Sequence, residues 1–216
     1  MKILNLYAGI GGNRKLWGDD HEVTAVEINS EIAKIYSDFF PNDEIIVGDA
    51  HQFLLKNFQE FDFIWASPPC PTHSRINTLL VNGRGLQPKF PDMKLYEEII
   101  FLKHYFKGKW VIENVRSFYT PLITPIEIGR HYYWANFPIN ITENATQKID
   151  NRKGKASLDI KQKAIGIEIK NFHNFKGDKR QLINNCVEPE TARKILKCAL
   201  GSQSTIANIP EVKDED

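Results

Sequence analysis

Apolar residues in the first half of the chain fall in short runs separated by turn residues and by stretches of helical spacing. That alternation sets the expected architecture. Ile3 to Tyr7 is an apolar run ending in Gly9-Ile10-Gly11-Gly12, and Asn13 to Trp17 can open a helix, so strand, glycine turn and helix follow in order. Val23 to Ile28 reads as a second strand. Between Ser30 and Phe40, residues Ile32, Ala33, Ile35, Tyr36 and Phe39 keep helical spacing behind a cap at Asn29 or Ser30, and Pro41 ends the segment. Ile45 to Val47 is a third strand running into Gly48-Asp49. Phe61 to Trp65 is a fourth, and Trp110 to Ile112 a fifth after a helical segment over Leu95 to Phe106. Strands alternating with helices predict an α/β fold with a mostly parallel sheet, whose ligands gather at the carboxyl ends of the strands.

The pattern changes at about Pro138. Residues 143–180 hold ten Lys or Arg against five Asp or Glu, with little apolar continuity before Ala164 to Ile169 and the aromatic "NFHNF". We expect the aromatics to pack against the core and the basic residues to meet phosphates. Glu190 to Leu200 returns to helical spacing, with Ala192, Ile195, Leu196 and Ala199 on one face. The pattern divides the chain into 1–137, carrying the sheet; a short basic insert, 138–180; a segment returning to the sheet domain, 181–207; and a frayed acidic tail, 208–216.

Composition narrows the picture only a little. With 216 residues, 42% hydrophobic and 25% charged, the chain suits one main globular domain. Lys and Arg number 28 against 27 acidic residues, so bulk charge names no partner. No run approaches the ~18 apolar residues of a membrane span, and the N-terminal run is too short for a signal peptide. A cytoplasmic protein is expected. The three cysteines, Cys70, Cys186 and Cys198, lack paired spacing, so neither a disulfide framework nor a metal site is predicted.

Several strand ends carry candidate chemistry. Gly9, Gly11 and Gly12 would let backbone approach a ligand and leave helix N–H groups free. Glu27, ending the second strand, can accept from two ribose hydroxyls, and Asp49 ends the third in the same way. Cys70 follows two prolines in "ASPPCPTHS"; most free cysteines are small buried hydrophobes, but the prolines end the strand and would hold this sulfur in the cleft. Cys186 and Cys198, in or beside helical apolar spacing, are expected to pack. Glu113-Asn114 closes the fifth strand, where a buried carboxylate would have a raised pKa and act as an acid. Arg130 reads as an exposed arginine and His131 as a surface or packing residue.

In order, "LNLYAGIGGNRKLW", "VEIN", "GDA", "SPPC…S", "IENV", "GRHYYW" and "NNCVEPETARKIL" resemble the motifs of the DNA (cytosine-5) methyltransferases over nearly the whole chain. The resemblance implies a Rossmann-like class I methyltransferase fold with S-adenosylmethionine as cofactor. It assigns 1–137 to cofactor binding and catalysis and 138–180 to target recognition. Carried over by position, Tyr7 flanks the cofactor, Gly9, Gly11 and Gly12 form its turn, Glu27 binds the ribose and Ile28 packs on the adenine. Asp49 meets the adenine amino group, Pro69 lies near the methionine and the target, and Asn185 and Val187 complete the pocket. Cys70 is the nucleophile, Glu113 holds the cytosine N3 edge, Arg130 supports Glu113 and the base, and Ser74 and Asn114 contact substrate. The implied partner is DNA, as in restriction–modification, with the target cytosine flipped out and a monomeric enzyme. N4-cytosine or RNA cytosine methylation, or a binding subunit needing a partner, are the alternatives. Arg75, Arg84, Lys89 and Lys94 suggest a basic loop over residues 71–94 able to close on the base.

The chain also departs from that pattern. Pro71 follows the cysteine where the family has glutamine; Ile126 and Ile128 replace a glutamine and an arginine before Arg130; Leu182 and Asn184 replace a glutamine and a glycine. The segment between "GRHYYW" and "NNCVEP" is far shorter than the usual recognition domain. Short or degenerate specificity is expected from so little chain.

Overall fold

The structure, a computed structural model, describes residues 1–75, 81–83, 85, 87, 89–141 and 158–201. Arg84, the 142–157 part of the insert and the 208–216 tail lie outside the described residues.

Among the described residues, seven strands form one sheet. In chain order they are β1 (Lys2–Leu6), β2 (Glu22–Glu27), β3 (Glu44–Val47), β4 (Phe63–Ala66), β5 (Lys109–Val115), β6 (Ile126–Ile128) and β7 (His131–Ala135). Their spatial order is β3-β2-β1-β4-β5-β7-β6. The first five pair in parallel, and β7 and β6 add antiparallel strands at one edge. The expected strands and the mostly parallel sheet are present; the antiparallel pair was not foreseen, because "IEIGRHYYWA" is short and turns on Gly129 at φ +60°.

Strand alternation sorts the core. Ile3, Val23, Phe63, Trp65 and Val111 face one side, while Leu4, Leu6, Val26, Ile64, Ala66 and Ile112 face the other. Helices cover both. On the first side lies α6 (Pro189–Ala199), inserting Ala192, Ile195 and Leu196. On the second lie α2 (Ala50–Asn57), through Leu54, and α3 (Lys94–Tyr105), through Leu95, Ile99 and Leu102. The predicted helix after β2 is α1 (Ser30–Phe39), whose cap Asn29 accepts from the N–H groups of Glu31 and Ile32. Two further short helices, α4 (Leu158–Ile165) and α5 (Lys179–Asn184), flank "NFHNF". Phe172 and Phe175 do pack, on a cluster built from Ile10, Ile35, Ile167 and Ile169.

The glycine turn after β1 leads into a single 3₁₀ turn, Arg14–Leu16, rather than an α-helix. Arg14 is the reason this segment stays compact. Its guanidinium is buried, donates to both carboxylate oxygens of Asp43 at 2.8 and 3.0 Å, and lies over the Phe40 ring at 5.1 Å. Tyr36 donates its hydroxyl to the same carboxylate at 2.7 Å. The turn is thereby fastened to the C-terminal end of α1 and the loop before β3. Asp43→Ala strands a buried guanidinium, so urea unfolding should show a loss of about 3–5 kcal/mol; a loss under about 1 kcal/mol would mean that the pair carries little of the fold.

Candidate active site

A cleft of about 510 Å³ opens at the carboxyl ends of the parallel strands. Its position follows from topology: the chain turns one way from β1 to β2 and β3 and the other way to β4 and β5, leaving a crevice where the order reverses. Two halves meet in it.

The first half is set by β1, β2 and β3. Glu27, at the end of β2 and buried, accepts Gly9 N–H on one oxygen at 3.0 Å and Asn29 N–H on the other at 2.9 Å. Each oxygen keeps lone pairs for further donors. Ile28, beside it, is 71% exposed, a large apolar side chain open at the mouth of the cleft. Asp49 caps α2 through Gln52 N–H at 3.0 Å and lines the cleft. The opposite wall is Asn185, Cys186 and Val187 from the loop before α6. Gly12 is needed there, because a Cβ on it would stand 2.7 Å from the Cys186 Cβ and 2.8 Å from the Val187 carbonyl oxygen. Gly11 serves packing instead. It does not line the cleft, and at φ +81° a side chain would collide with the Phe40 ring. Charged, polar and apolar groups in this arrangement fit a nucleoside bearing a charged tail.

The second half is set by β4 and β5. Parallel pairing places Ala66 opposite Ile112, so Ser67-Pro68-Pro69-Cys70 and Glu113-Asn114 leave the sheet side by side. Asn114, buried, fastens them: its amide donates to the Pro68 carbonyl at 3.0 Å and accepts from Val115 N–H. Both N–H groups of His73 and Ser74 return to the Cys70 carbonyl at 3.0 Å, which closes the loop tightly behind the sulfur. Cys70, half-buried, and Glu113, 7% exposed, both face the cleft. Burial pushes the Glu113 carboxyl up to about 7, partly offset by a hydrogen bond from Ser67. Ser67 is itself held by Trp65 Nε1–H at 3.0 Å. Burial also raises the Cys70 thiol, and the Glu113 charge raises it further. Each group therefore opposes ionisation of the other.

The residues inferred from the sequence distribute unevenly. Tyr7, Gly9, Gly12, Glu27, Ile28, Asp49, Pro69, Cys70, Glu113, Asn114, Asn185 and Val187 line one cleft, whereas Gly11, Ser74 and Arg130 do not. Ser74 instead bridges Ser117 beside the cleft. Arg130 is exposed, and its neighbour takes the place expected for it: His131 Nε2 lies 3.7 Å from Glu113 Oε1. The reason is strand parity. β7 runs antiparallel to β5 with Tyr133 opposite Glu113 and His131 opposite Val115, so 131 and 133 share the Glu113 face and 130 does not. Burial holds His131 down at about 4, with the Arg130 charge adding to the effect, so this contact is polar rather than ionic at neutral pH.

Sequence reasoning also passed over Ser67, His51 and His73. His73, buried, lines the cleft and accepts or donates at Nδ1 with the Tyr119 hydroxyl at 2.6 Å, while Phe118 N–H meets its carbonyl at 3.1 Å. It pins the cysteine loop to the segment after β5. Ser67 was readable from its place at a strand end; His73 carried no signal. Among the described residues, no His, Cys, Asp and Glu cluster could hold a metal, and no helix is long and apolar enough to cross a membrane.

Comparison with known proteins bears on this geometry. A family model described as C-5 cytosine-specific DNA methylase matches residues 1–121. The tRNA (cytosine(38)-C(5))-methyltransferase of Spodoptera frugiperda is 32% identical over 54% of this chain and 36% of its own length. The Mus musculus protein of the same description is 25% identical over 55% of this chain and 29% of its own. The chain thus spans about a third of the length of these relatives. A solved Entamoeba histolytica methyltransferase, EhMeth, shares the fold with a TM-score of 0.56 and 13% identity, covering 93% of this chain and 98% of that one.

The coupling of the two half-site groups is measurable directly. Alkylation of Cys70 by iodoacetamide, followed by peptide mass spectrometry, should be slow at neutral pH and accelerate only at alkaline pH. In Glu113→Gln the same rise should move to lower pH, with the variants diverging above about 7, where the native carboxyl ionises. Superimposable profiles would show that the sulfur does not sense this carboxylate.

Proposed function

Because the model matches more than half of it, the chain belongs to the C-5 cytosine-specific DNA methylase family, and from that premise we propose that it methylates C5 of a cytosine in nucleic acid, a transfer RNA before DNA. The observation carrying this reading is Cys70 and Glu113 facing one cleft from adjacent strand ends. The cofactor of the family is S-adenosylmethionine, which supplies an electrophilic methyl group when bound. Glu27 would hold its ribose, Ile28 and Asp49 its adenine, Tyr7, Gly9 and Gly12 the turn beneath it, and Asn185 and Val187 the far wall. Gly11 would act by keeping that turn packed.

Cytosine C5 is a weak nucleophile until C6 is attacked. The Cys70 thiolate forms a bond to C6, and the electron pair released through the ring makes C5 able to take the methyl group. Glu113, neutral up to about pH 7, would donate to N3 and stabilise the charge that develops there. Loss of the C5 proton to a base then expels Cys70 and restores the ring. Pro69 shapes the cysteine turn, Asn114 holds it against β5, and His131, rather than Arg130, is the basic group nearest Glu113. Arg130 and Ser74 would lie outside the cleft, where they could meet the nucleic-acid backbone.

Two considerations favour RNA. The curated relatives are tRNA methyltransferases. A base in an unpaired loop also costs less to extrude than one stacked in a duplex, where extrusion takes a few kcal/mol, and the short insert over residues 138–180 offers few contacts to repay that. DNA is the second reading, favoured by the family description.

Trapping tests the reaction and substrate together. With 5-fluorocytosine in the substrate, the final elimination is blocked, so the full chain with S-adenosylmethionine should form a denaturation-resistant adduct with tRNA more readily than with DNA of mixed sequence. Cys70→Ser should abolish it, and Glu113→Gln should lower turnover on ordinary substrate by about 10²-fold. Adduct on DNA alone would establish the second reading; methylation by Cys70→Ser would dismiss the covalent route.

A further inference from the structure

We infer that Glu98 is a positioning residue for the cofactor-binding turn, acting through Tyr7 and His51. Glu98 lies in α3, fully buried, and does not itself line the cleft. The Tyr7 hydroxyl donates to Glu98 Oε1 at 2.5 Å, and His51 Nδ1 lies 3.0 Å from the same oxygen. Tyr7 follows β1 and His51 sits in the first turn of α2, and both line the cleft. One buried carboxylate oxygen thus joins the strand end that carries Gly9 to the helix start that carries Asp49.

Tyr7 needs such a hold. Its φ of +57° is in the left-handed region, which an L side chain adopts at about 1–2 kcal/mol. That conformation sends the chain into Ala8 and Gly9, whose N–H groups meet the Val26 carbonyl and the Glu27 carboxylate. Without its anchor, Tyr7 can relax toward ordinary backbone, and the turn moves with it.

Glu98 itself gains nothing from its place. Its Oε2 is buried with no hydrogen-bond partner, an unfavourable arrangement for a carboxylate. Burial raises its pKa against the pull of Tyr7 and His51. A leucine at this position could pack with Ile99 and Leu102 free of that penalty, so the acid contributes through what it holds. His51 Nε2 also reaches Glu97 Oε1 at 3.5 Å, which ties the imidazole to the same helix twice.

The inference rests on the cofactor reading of the cleft and not on which nucleic acid is methylated. Calorimetry with S-adenosylmethionine and S-adenosylhomocysteine, on the full chain without nucleic acid, tests it. Tyr7→Phe, which keeps the ring and removes one oxygen, and Glu98→Ala should each weaken binding about tenfold, about 1.4 kcal/mol. Glu98→Gln, whose carbonyl still accepts from both partners, should stay within about threefold of the native protein. In turnover, cofactor KM should rise in proportion while kcat at saturating cofactor is unchanged. Native affinity in Tyr7→Phe and Glu98→Ala would overturn the inference, as would a fall in kcat at unchanged affinity. If Glu98→Ala fails to fold, Tyr7→Phe with Glu98→Gln decides. A native chain that binds neither compound would overturn the cofactor reading as well, whereas the expected pattern in a protein that methylates no cytosine would leave Glu98 in its role and remove only the proposed reaction.

Discussion

The parallel register of β4 on β5, with Ala66 opposite Ile112, is the constraint on which the Cys70–Glu113 half of the cleft depends. Two strands that leave a sheet together deliver their next residues to one place, so Cys70 and Glu113 meet although 43 positions separate them. A slip of one residue would turn Glu113 to the opposite face. The register is secured by Trp65 and Val111 on one face and Ile64 and Ile112 on the other, all fully buried. Asn114, bonded to the Pro68 carbonyl, extends the pairing beyond the last ladder bond. Prolines suit that extension because they leave few N–H groups to satisfy where the ladder stops.

The same burial that aligns the two groups sets their chemistry. A low-polarity cleft disfavours charge on either, and it disfavours two negative charges most. Glu113 accordingly holds its proton to about pH 7, and Cys70 stays a thiol at neutrality. The resting site is close to neutral. Once that site gives up one proton to solvent, thiol beside carboxylate and thiolate beside acid are tautomers, and a group that takes a hydrogen bond from the Glu113 acid favours the second. In the other half, carboxylates at Glu27 and Asp49 are engaged by backbone N–H groups, which compensates their charge without a salt bridge. One cleft thus combines an anionic end with an end kept neutral.

Much of this was legible before any coordinates, and the exceptions share a cause. Strands β1, β2, β4 and β5 announce themselves because both faces are buried and their residues form apolar runs, and β3, an edge strand only partly buried, shows through the short run Ile45 to Val47. Helix α1 announces itself through its cap. Glu27, Asp49, Cys70 and Glu113 each follow such a run, so strand ends could be recognised and their side chains assigned to one edge. Arg130 illustrates what could not be read. Its place was taken from motif order, but which of two adjacent residues faces Glu113 depends on the parity of an antiparallel strand of five residues. Arg14 and Glu98 were hidden differently. An arginine among small residues and a glutamate beside Glu97 both look like solvated surface, and their burial depends on partners, Asp43 and Tyr7, far away in sequence. Helix α2 escaped notice because Asp49 reads as a ligand while also serving as its cap.

The close approach of Gly12 to Cys186 and Val187 has a consequence for how the protein comes into being. The wall opposite the first glycine turn is made of residues translated some 170 positions later. A nascent chain can pair β1 to β5 and bring Cys70 beside Glu113 while this side of the pocket still stands open. Only when the segment before α6 leaves the ribosome does the cleft gain its last wall. Closure of this side of the cleft thus waits for a segment made long after the turn it faces, which ties the shape of the pocket to residues remote in sequence.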